Sequence, residues 1–176
     1  MPVPFAPALP ALLLLPALAA PATVVDADFD PASAFVRPTA ISHVPDLVPY
    51  GGHVRLTVTR APGASTVALE LRGLAPSLDL AAHVHTGRCG ADPAASGPHY
   101  QHVPDPVQPS TDPAYANDRN EVRLALRTDD TGQAAARTAV GFAFRPGEAH
   151  SLVLHTGRRS GAHPAGERIA CVDVDL

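Results

Sequence analysis

The feature that most constrains the fold of this chain is a series of short runs in which apolar residues alternate with polar or small ones. Alternation with a period of two places every second side chain on one face, as in a strand that is buried on one side only. Turn sequences such as Ala61-Pro62-Gly63 and Arg145-Pro146-Gly147 separate the runs, and no stretch of twelve or more residues after the first 22 shows clean helical periodicity. The predicted strands cover residues 54–59, 66–71, 122–126, 139–144, 151–154 and 169–174. The sequence therefore predicts an all-β sandwich or barrel.

The N-terminal segment has the features of an export signal. Residues 12–15 are all leucine, and Ala17-Leu18-Ala19 fits the small-x-small pattern of a signal-peptidase site. No basic residue precedes Arg37, which departs from the usual signal, and the segment is too short and too broken by proline for a membrane anchor. We therefore expect a signal peptide over residues 1–22 and one β-domain over 23–176. The mature protein would be secreted or extracytoplasmic, with no membrane anchor after signal cleavage.

The charge pattern argues against nucleic acid as a partner. The net charge is −4, all 13 basic residues are arginine, and no basic run is interleaved with aromatic residues. A nucleic-acid-binding domain normally carries a clustered basic surface.

The chain has two cysteines, Cys89 and Cys171. In an exported chain, two cysteines form one disulfide more often than they remain as free thiols. The alternative is that both are thiolate ligands for zinc, but a pair so far apart lacks the CxxC spacing of such sites.

Four histidines occur where they could share a metal ion. His83 and His85 lie one residue apart at the end of a strand-like stretch, so they share a face with Cα atoms roughly 6.5–7 Å apart. His99 follows Gly97-Pro98, and His155 ends another strand-like run. Four nitrogen donors favour copper or zinc over calcium or magnesium. Other histidines have no partner at ligand spacing and keep an ordinary surface or hydrogen-bonding interpretation, namely His43, His53 and His150.

A long loop is predicted between residues 89 and 120. This stretch holds six prolines, few large apolar residues and no repeated alternation. Loops longer than about 15 residues in compact domains are commonly functional. His99 lies inside this loop.

Four segments, LRGLAPSLDLAAHVHTGRCG, SGPHY, LVLHTG and GERIAC, follow one another in an order that resembles the copper-zinc superoxide dismutase family. The resemblance covers roughly residues 52–174 and implies a Greek-key β-barrel of about eight antiparallel strands with long metal-site loops. The residues it assigns are the copper ligands His83, His85, His99 and His155, the disulfide partners Cys89 and Cys171, and the active-site arginine Arg168.

The chemistry of the family agrees with this donor set. Dismutation of superoxide needs a metal that alternates between two oxidation states, which copper in a nitrogen-rich site can do and zinc cannot. The resemblance gives catalytic roles to His99 and Arg168, since a permanently charged guanidinium attracts and orients the superoxide anion. The alternative for Arg168 is a surface salt bridge with Glu167 or with a carboxylate of the long loop.

The sequence departs from the zinc-containing members of the family after His99. Those members carry two further histidines and an aspartate within about twenty residues, whereas this stretch has one histidine. Its remaining candidate ligands, His102, Asp105, Asp112 and Asp118, are poorer in nitrogen and sulfur than a tetrahedral zinc site normally is. The segment between His155 and Arg168 is also short. Both departures resemble the copper-only branch, so we expect copper and no zinc.

In that branch, a carboxylate takes over the task of holding the distal nitrogen of the third histidine. Glu121 is the first candidate and Asp118 the second, and either would fix the tautomer and orientation of the His99 ring. The alternative for Glu121 is an exposed strand residue.

The resulting expectation is an exported, copper-dependent superoxide dismutase whose substrate is the superoxide anion. A non-catalytic copper-binding or copper-storing module of the same fold is the main alternative. A zinc hydrolase with three histidines and a bound water is a third interpretation, and no recognisable general base accompanies the histidine doublet.

Overall fold

The alternating runs of the sequence become strands of one sheet. The computed structural model describes residues 21–157 and 166–176. Most of the predicted signal peptide, residues 1–20, and the segment 158–165 with His163 lie outside the described residues. The strands are β1 (Ala22–Pro31), β2 (Ala40–Ser42), β3 (His53–Ala61), β4 (Ala64–Arg72), β5 (Asp79–His85), β6 (Arg123–Arg127), β7 (Ala134–Val140), β8 (Ser151–Thr156) and β9 (Arg168–Asp173). A short 3₁₀ helix covers Pro93–Ser96. Within the described ranges, no helix has the length and apolar character needed to cross a bilayer.

The strands form a nearly closed barrel with Greek-key connections. Their order in the sheet is β6-β5-β8-β9-β2-β1-β3-β4-β7, and the two end strands, β6 and β7, contact each other. The sheet divides into two halves, β6-β5-β8-β9-β2 and β1-β3-β4-β7. The chain crosses between them from β4 to β5, from β6 to β7 and from β7 to β8, as well as on its way from β1 through β2 to β3. The predicted fold class is therefore confirmed. The described part of the chain has nine strands, and β1 pairs with β2 in parallel while the other pairs are antiparallel.

The hydrophobic core fills the barrel, and a smaller apolar cluster lies on its outer face. Alternate residues of β8 separate the two, because Leu152 and Leu154 belong to the core whereas Val153 packs with the outer cluster. That cluster contains Cys89 and Cys171, which form the predicted disulfide with an S–S distance of 2.02 Å. Because the bridge spans 82 residues, the chain-entropy model assigns it about 4–5 kcal/mol. It ties the start of the long loop to β9.

One predicted strand needs correction, and two strands were not predicted. The strand predicted over residues 139–144 ends at Val140, although Phe142 and Phe144 remain buried. These rings pack with Tyr100, which lies 5.2 Å from Phe144 and 6.1 Å from Phe142 between centroids. The alternation of apolar residues beyond Val140 therefore indicates which side chains are buried, but not that the segment pairs as a strand. Sequence analysis also missed β1 and β2, since β1 carries three outward-facing aspartates, a residue type that is depleted in strands, and β2 has only three residues.

Candidate metal centre

Three histidines lie on the outer face of the barrel, where β5 and β8 pair. Val84 points into the core, so alternation along β5 places His83 and His85 on the opposite face. His155 of β8 pairs with Ala81 of β5 and therefore shares the face of the two β5 histidines. All three rings are buried, with residue exposures of 6% or less. The strand register thus brings together three of the four predicted ligands.

The fourth predicted ligand, His99, comes from the long loop. The loop runs beside the end of β5, where His85 and His99 form an isolated antiparallel bridge and the Tyr100 amide donates to the Val84 carbonyl at 2.7 Å. Gly97, just before it, has a φ of +67°, in the left-handed region that favours glycine. A Cβ at this position would also lie 2.8 Å from the Thr86 hydroxyl oxygen. The turn at Gly97 therefore sets the path that places His99 beside His85.

The four rings lie close together. Their centroids are 4.2 Å apart for His83 and His99, 4.8 Å for His85 and His99, and 5.3 Å for His83 and His155. The remaining measured pairs, His85–His155 and His99–His155, lie at 5.4 and 5.7 Å. One ring nitrogen from each of His85, His99 and His155 lies within 4.8 Å of the other two. The structure therefore places the four imidazoles side by side, with His85, His99 and His155 arranged so that they could share one ion and His83 grouped with His99 and Glu121.

Backbone carbonyls determine which ring nitrogens of His85 and His155 face each other. Nδ1 of His85 lies 2.9 Å from the Gly97 oxygen, and Nδ1 of His155 lies 3.0 Å from the Gly166 oxygen. Because a carbonyl oxygen can only accept, each Nδ1 carries the proton, and Nε2 of a neutral ring then presents a lone pair. The two Nε2 atoms face each other at 3.2 Å. Lone pairs so placed are what a cation with imidazole ligands requires, so the donor set fits copper or zinc.

Burial keeps the imidazoles of β5 neutral. It is the largest cause that lowers the pKa of His83 far below its ordinary value, followed by the neighbouring rings of His99 and His155. Burial likewise lowers the pKa of His85, and the nearby His99 ring adds to the effect. Metal ligation uses the neutral form of imidazole, so these rings need not lose a proton before an ion binds.

Glu121 is the carboxylate that faces the distal nitrogen of His99. Its Oε2 lies 3.3 Å from His99 Nδ1 and also accepts from Nε and Nη2 of Arg123 at 3.0 and 2.9 Å, while its Oε1 accepts from Gln101 at 2.8 Å. Burial alone would raise the pKa of Glu121, but the hydrogen bonds from His99, Gln101 and Arg123 outweigh it and lower the pKa to about 2. The carboxylate therefore stays ionised although only 2% of its side chain is exposed.

That burial rules out the alternative of an exposed strand residue for Glu121. Asp118, the second predicted carboxylate, has an 85% exposed side chain and lies 3.5 Å from Arg123. Of the two candidates, Glu121 is the one that contacts His99.

Arg168 begins β9 opposite His155 and reaches across to the loop. Its guanidinium donates to the carbonyls of Pro93 and Gly97 at 3.0 and 2.8 Å and to the Ser96 hydroxyl at 2.9 Å. These acceptors are neutral, unlike the carboxylate of the alternative salt bridge. Burial lowers the pKa of Arg168, but arginine keeps its charge in proteins. The Gly97 carbonyl accepts from both Arg168 and His85, so the arginine is coupled directly to a predicted ligand.

A cavity of about 600 Å³ lies over this cluster. The predicted site residues on its wall are His99, Glu121, His155 and Arg168. The rest of the wall consists of Pro98, Gln101, Gln108, Pro109, Ser110, Thr111 and Gly166. Two rings of the cluster are therefore accessible from a space that is bordered by a cationic side chain.

Among the described residues, the others considered as zinc ligands form no group of three that could hold a metal ion. His102 is exposed and stacks on Phe142 at 4.8 Å. Asp105 accepts from the Ser110 hydroxyl, and Asp112 accepts from the Ala114 amide. In the described ranges, the groups of three or more side chains that could hold a metal ion are His85, His99 and His155 and, beside them, His83, His99 and Glu121.

Sequence analysis did not single out Gln101, Arg123 or the Gly97 carbonyl. Gln101 and Arg123 are polar residues without a motif, and their contacts with Glu121 depend on how the loop folds back. A backbone acceptor leaves no signal in the side-chain sequence. The Gly-Pro-His segment was the available indication for Gly97.

Comparison with solved structures agrees with this architecture. The Cu/Zn superoxide dismutase from Brucella abortus matches with a TM-score of 0.54 at 18% sequence identity, covering 87% of this chain and 100% of that one. The chain has the copper-zinc superoxide dismutase fold. The clock protein EA4 matches with a TM-score of 0.49 at 18% identity, covering 70% of this chain and 87% of that one. A double mutant of a SOD-like protein from Bacillus subtilis matches with a TM-score of 0.45 at 13% identity, covering 68% and 86%. No protein-family model and no curated protein sequence matches the chain.

The geometry of this superoxide dismutase-like barrel predicts which histidines would hold a metal ion such as copper. The loss of a residue that hydrogen-bonds to a metal ligand weakens metal binding about 10–100-fold. We expect His155→Ala to weaken Cu(II) binding by more than this, because it removes an Nε2 donor from the cluster itself. The matched control His102→Ala should bind as the unchanged protein does, since its ring stacks on Phe142 outside the cluster. Competition with a copper chelator measures both affinities. Equal affinities for the two variants would contradict this site assignment.

Proposed function

We propose that this protein is an exported, copper-dependent superoxide dismutase that works without a structural zinc ion. Two superoxide anions and two protons would give one dioxygen and one hydrogen peroxide. The observation that carries the proposal is the pair of Nε2 atoms of His85 and His155, which face each other at 3.2 Å within a cluster of four imidazoles. In this proposal, copper is held by His83, His85, His99 and His155.

The bound copper would supply one-electron chemistry, accepting an electron from one superoxide and giving one to a second. His83, His85 and His155 hold their positions through the β5–β8 ladder, whereas His99 is carried by the loop. Arg168 places a positive charge on the cavity wall, where it would attract the small anion and orient it through paired donors.

The surroundings of His99 support a site that does not depend on zinc. With Glu121 accepting from Nδ1, the other ring nitrogen of His99 is left for the metal. A buried carboxylate with partners on both oxygens is fixed in position and can hold the distal ring nitrogen of His99 by accepting its N–H. A second metal ion would otherwise hold that nitrogen by coordination. We propose that Glu121 holds the His99 ring in this way.

The disulfide supports the proposed location. Bridges such as Cys89–Cys171 form and persist in oxidising compartments, outside the cytosol. Together with the signal-like residues 1–22, it is the basis for proposing a secreted or extracytoplasmic enzyme.

Metal analysis followed by a superoxide-consumption assay tests the proposed function. The full chain is reconstituted with an equimolar mixture of copper and zinc, freed of loosely bound ions and analysed for both. We expect one copper per chain, negligible zinc and superoxide consumption that is lost on copper removal and restored by copper alone. Copper binding without superoxide consumption would contradict the enzyme and favour the copper-storing alternative. Activity that requires zinc would contradict the zinc-free site.

The proposed role of Arg168 predicts a slower rate per bound copper. At equal copper loading, Arg168→Ala should consume superoxide about ten-fold or more slowly, because electrostatic attraction of a charged substrate accelerates association by about 10–10³. The remaining rate should depend less on ionic strength than that of the unchanged protein. Arg72→Ala, which removes an exposed arginine of β4, is the control and should retain the full rate. Equal rates for both variants over a salt series would overturn the attraction role.

A further inference from the structure

We infer that Gln101 is a positioning residue that holds the Glu121 carboxylate against His99 and ties that carboxylate to the loop that forms the cavity wall. The inference rests on the proposed function for its significance, since it concerns how one proposed copper ligand is oriented. Gln101 itself lies on the cavity wall and contacts no ligand ring through the hydrogen bonds described below.

The amide of Gln101 has the two different ends that its position requires. Its residue is buried, with 4% exposure. Nε2 donates to Glu121 Oε1 at 2.8 Å, and Oε1 accepts from the backbone N–H of Asp105 at 2.9 Å. An ionised carboxylate can only accept and a backbone N–H can only donate, so the two partners fix the orientation of the amide. Neither an apolar side chain nor a carboxylate could satisfy both partners in this way.

The bond from Gln101 acts on the opposite side of the carboxylate from His99. Oε2 of Glu121 faces His99 Nδ1 at 3.3 Å and accepts two bonds from Arg123, whereas Oε1 accepts from Gln101. The donor on Oε1 therefore opposes rotation of the carboxylate toward Arg123. When this donor is lost, the carboxylate can turn, and its hold on the His99 proton weakens.

The other end of Gln101 anchors the loop that borders the cavity. Asp105, bonded to Gln101 through its amide, accepts from the Ser110 hydroxyl at 2.6 Å and, through its carbonyl, from Gln108 at 3.2 Å. Gln108 and Ser110 lie on the cavity wall together with His99. One side chain thus connects the wall of the cavity to the carboxylate that orients a proposed ligand.

Three variants separate these two connections. Gln101→Met keeps the length and burial of the side chain but removes the hydrogen bonds with Glu121 and Asp105, together with a longer one from Gln108 Nε2 at 3.5 Å. Gln101→Asn keeps the amide but is one methylene shorter, so it cannot reach both partners. Ser110→Ala is the matched control, because it loosens the loop at Asp105 and leaves the bond from Gln101 to Glu121 in place.

The first readout needs no metal. In the metal-free protein labelled with ¹⁵N, the ring nitrogen shifts of His99 report which nitrogen carries the proton. We expect the Nδ1-protonated pattern in the unchanged protein and in Ser110→Ala, and a shift toward a mixture of tautomers in both Gln101 variants. After copper loading, the parallel hyperfine splitting in the Cu(II) EPR spectrum should change in the Gln101 variants alone. Their copper affinity should fall about ten-fold, at the low end of the about 10–100-fold range for outer partners of a ligand.

Unchanged His99 shifts and an unchanged EPR spectrum in folded Gln101→Met would overturn the inference. The same changes in Ser110→Ala would assign the effect to the loop as a whole and would also overturn it. If Gln101→Met does not fold, Gln101→Asn decides. If neither folds while Ser110→Ala does, Gln101 is a structural residue and not a positioning one. The metal-free readout separates this inference from the proposed function, which fails when the copper-loaded unchanged protein does not consume superoxide.

Discussion

The structure of this site depends on one electrostatic constraint, the meeting of two imidazole lone pairs in a buried space. His85 and His155 both direct their Nδ1 protons to backbone carbonyls, which leaves their Nε2 atoms facing each other at 3.2 Å. Two acceptors so close together repel, and in a poorly solvated site the repulsion is not relieved by water. A cation between the lone pairs converts the repulsion into two ligand bonds. The carbonyls of Gly97 and Gly166 therefore orient the ring nitrogens on which the proposed metal site depends.

The barrel and the loop meet this constraint in different ways. Strand pairing fixes His83, His85 and His155, since a ladder with a period of two leaves little freedom in where they point. The loop that carries His99 has no ladder of its own and is held by separate ties to β9, namely the Cys89–Cys171 bridge and the hydrogen bonds of Arg168. The residue proposed to attract the substrate thus also fastens the loop that delivers a proposed ligand.

Sequence analysis anticipated the all-β fold and the shared face of His83 and His85 because both follow from local periodicity, whereas the full ligand set with His99 and His155 depended on the resemblance to a known family. The two-residue spacing of His83 and His85 in a strand places them on one face. Whether Glu121 is an exposed strand residue or a partner of His99 could not be predicted from the sequence, and its burial in the structure decides for the partner. Strand limits were harder to predict, since Phe142 continues the alternation of β7 after pairing has ended. Gln101 was missed because its partners, Glu121 and Asp105, come together only when a loop without periodicity folds around them.

X-ray absorption at the copper edge tests the central claim, that at least three imidazoles of this cluster share one ion, most directly. The Cu(II)-loaded protein should show three to four imidazole nitrogens at about 2.0–2.1 Å, the distance typical of imidazole bound to a divalent ion such as zinc, with the outer-ring scattering that distinguishes histidine from oxygen ligands. A spectrum with two or fewer imidazoles, completed by oxygen or sulfur, would contradict the shared site and remove the basis for the proposed enzyme.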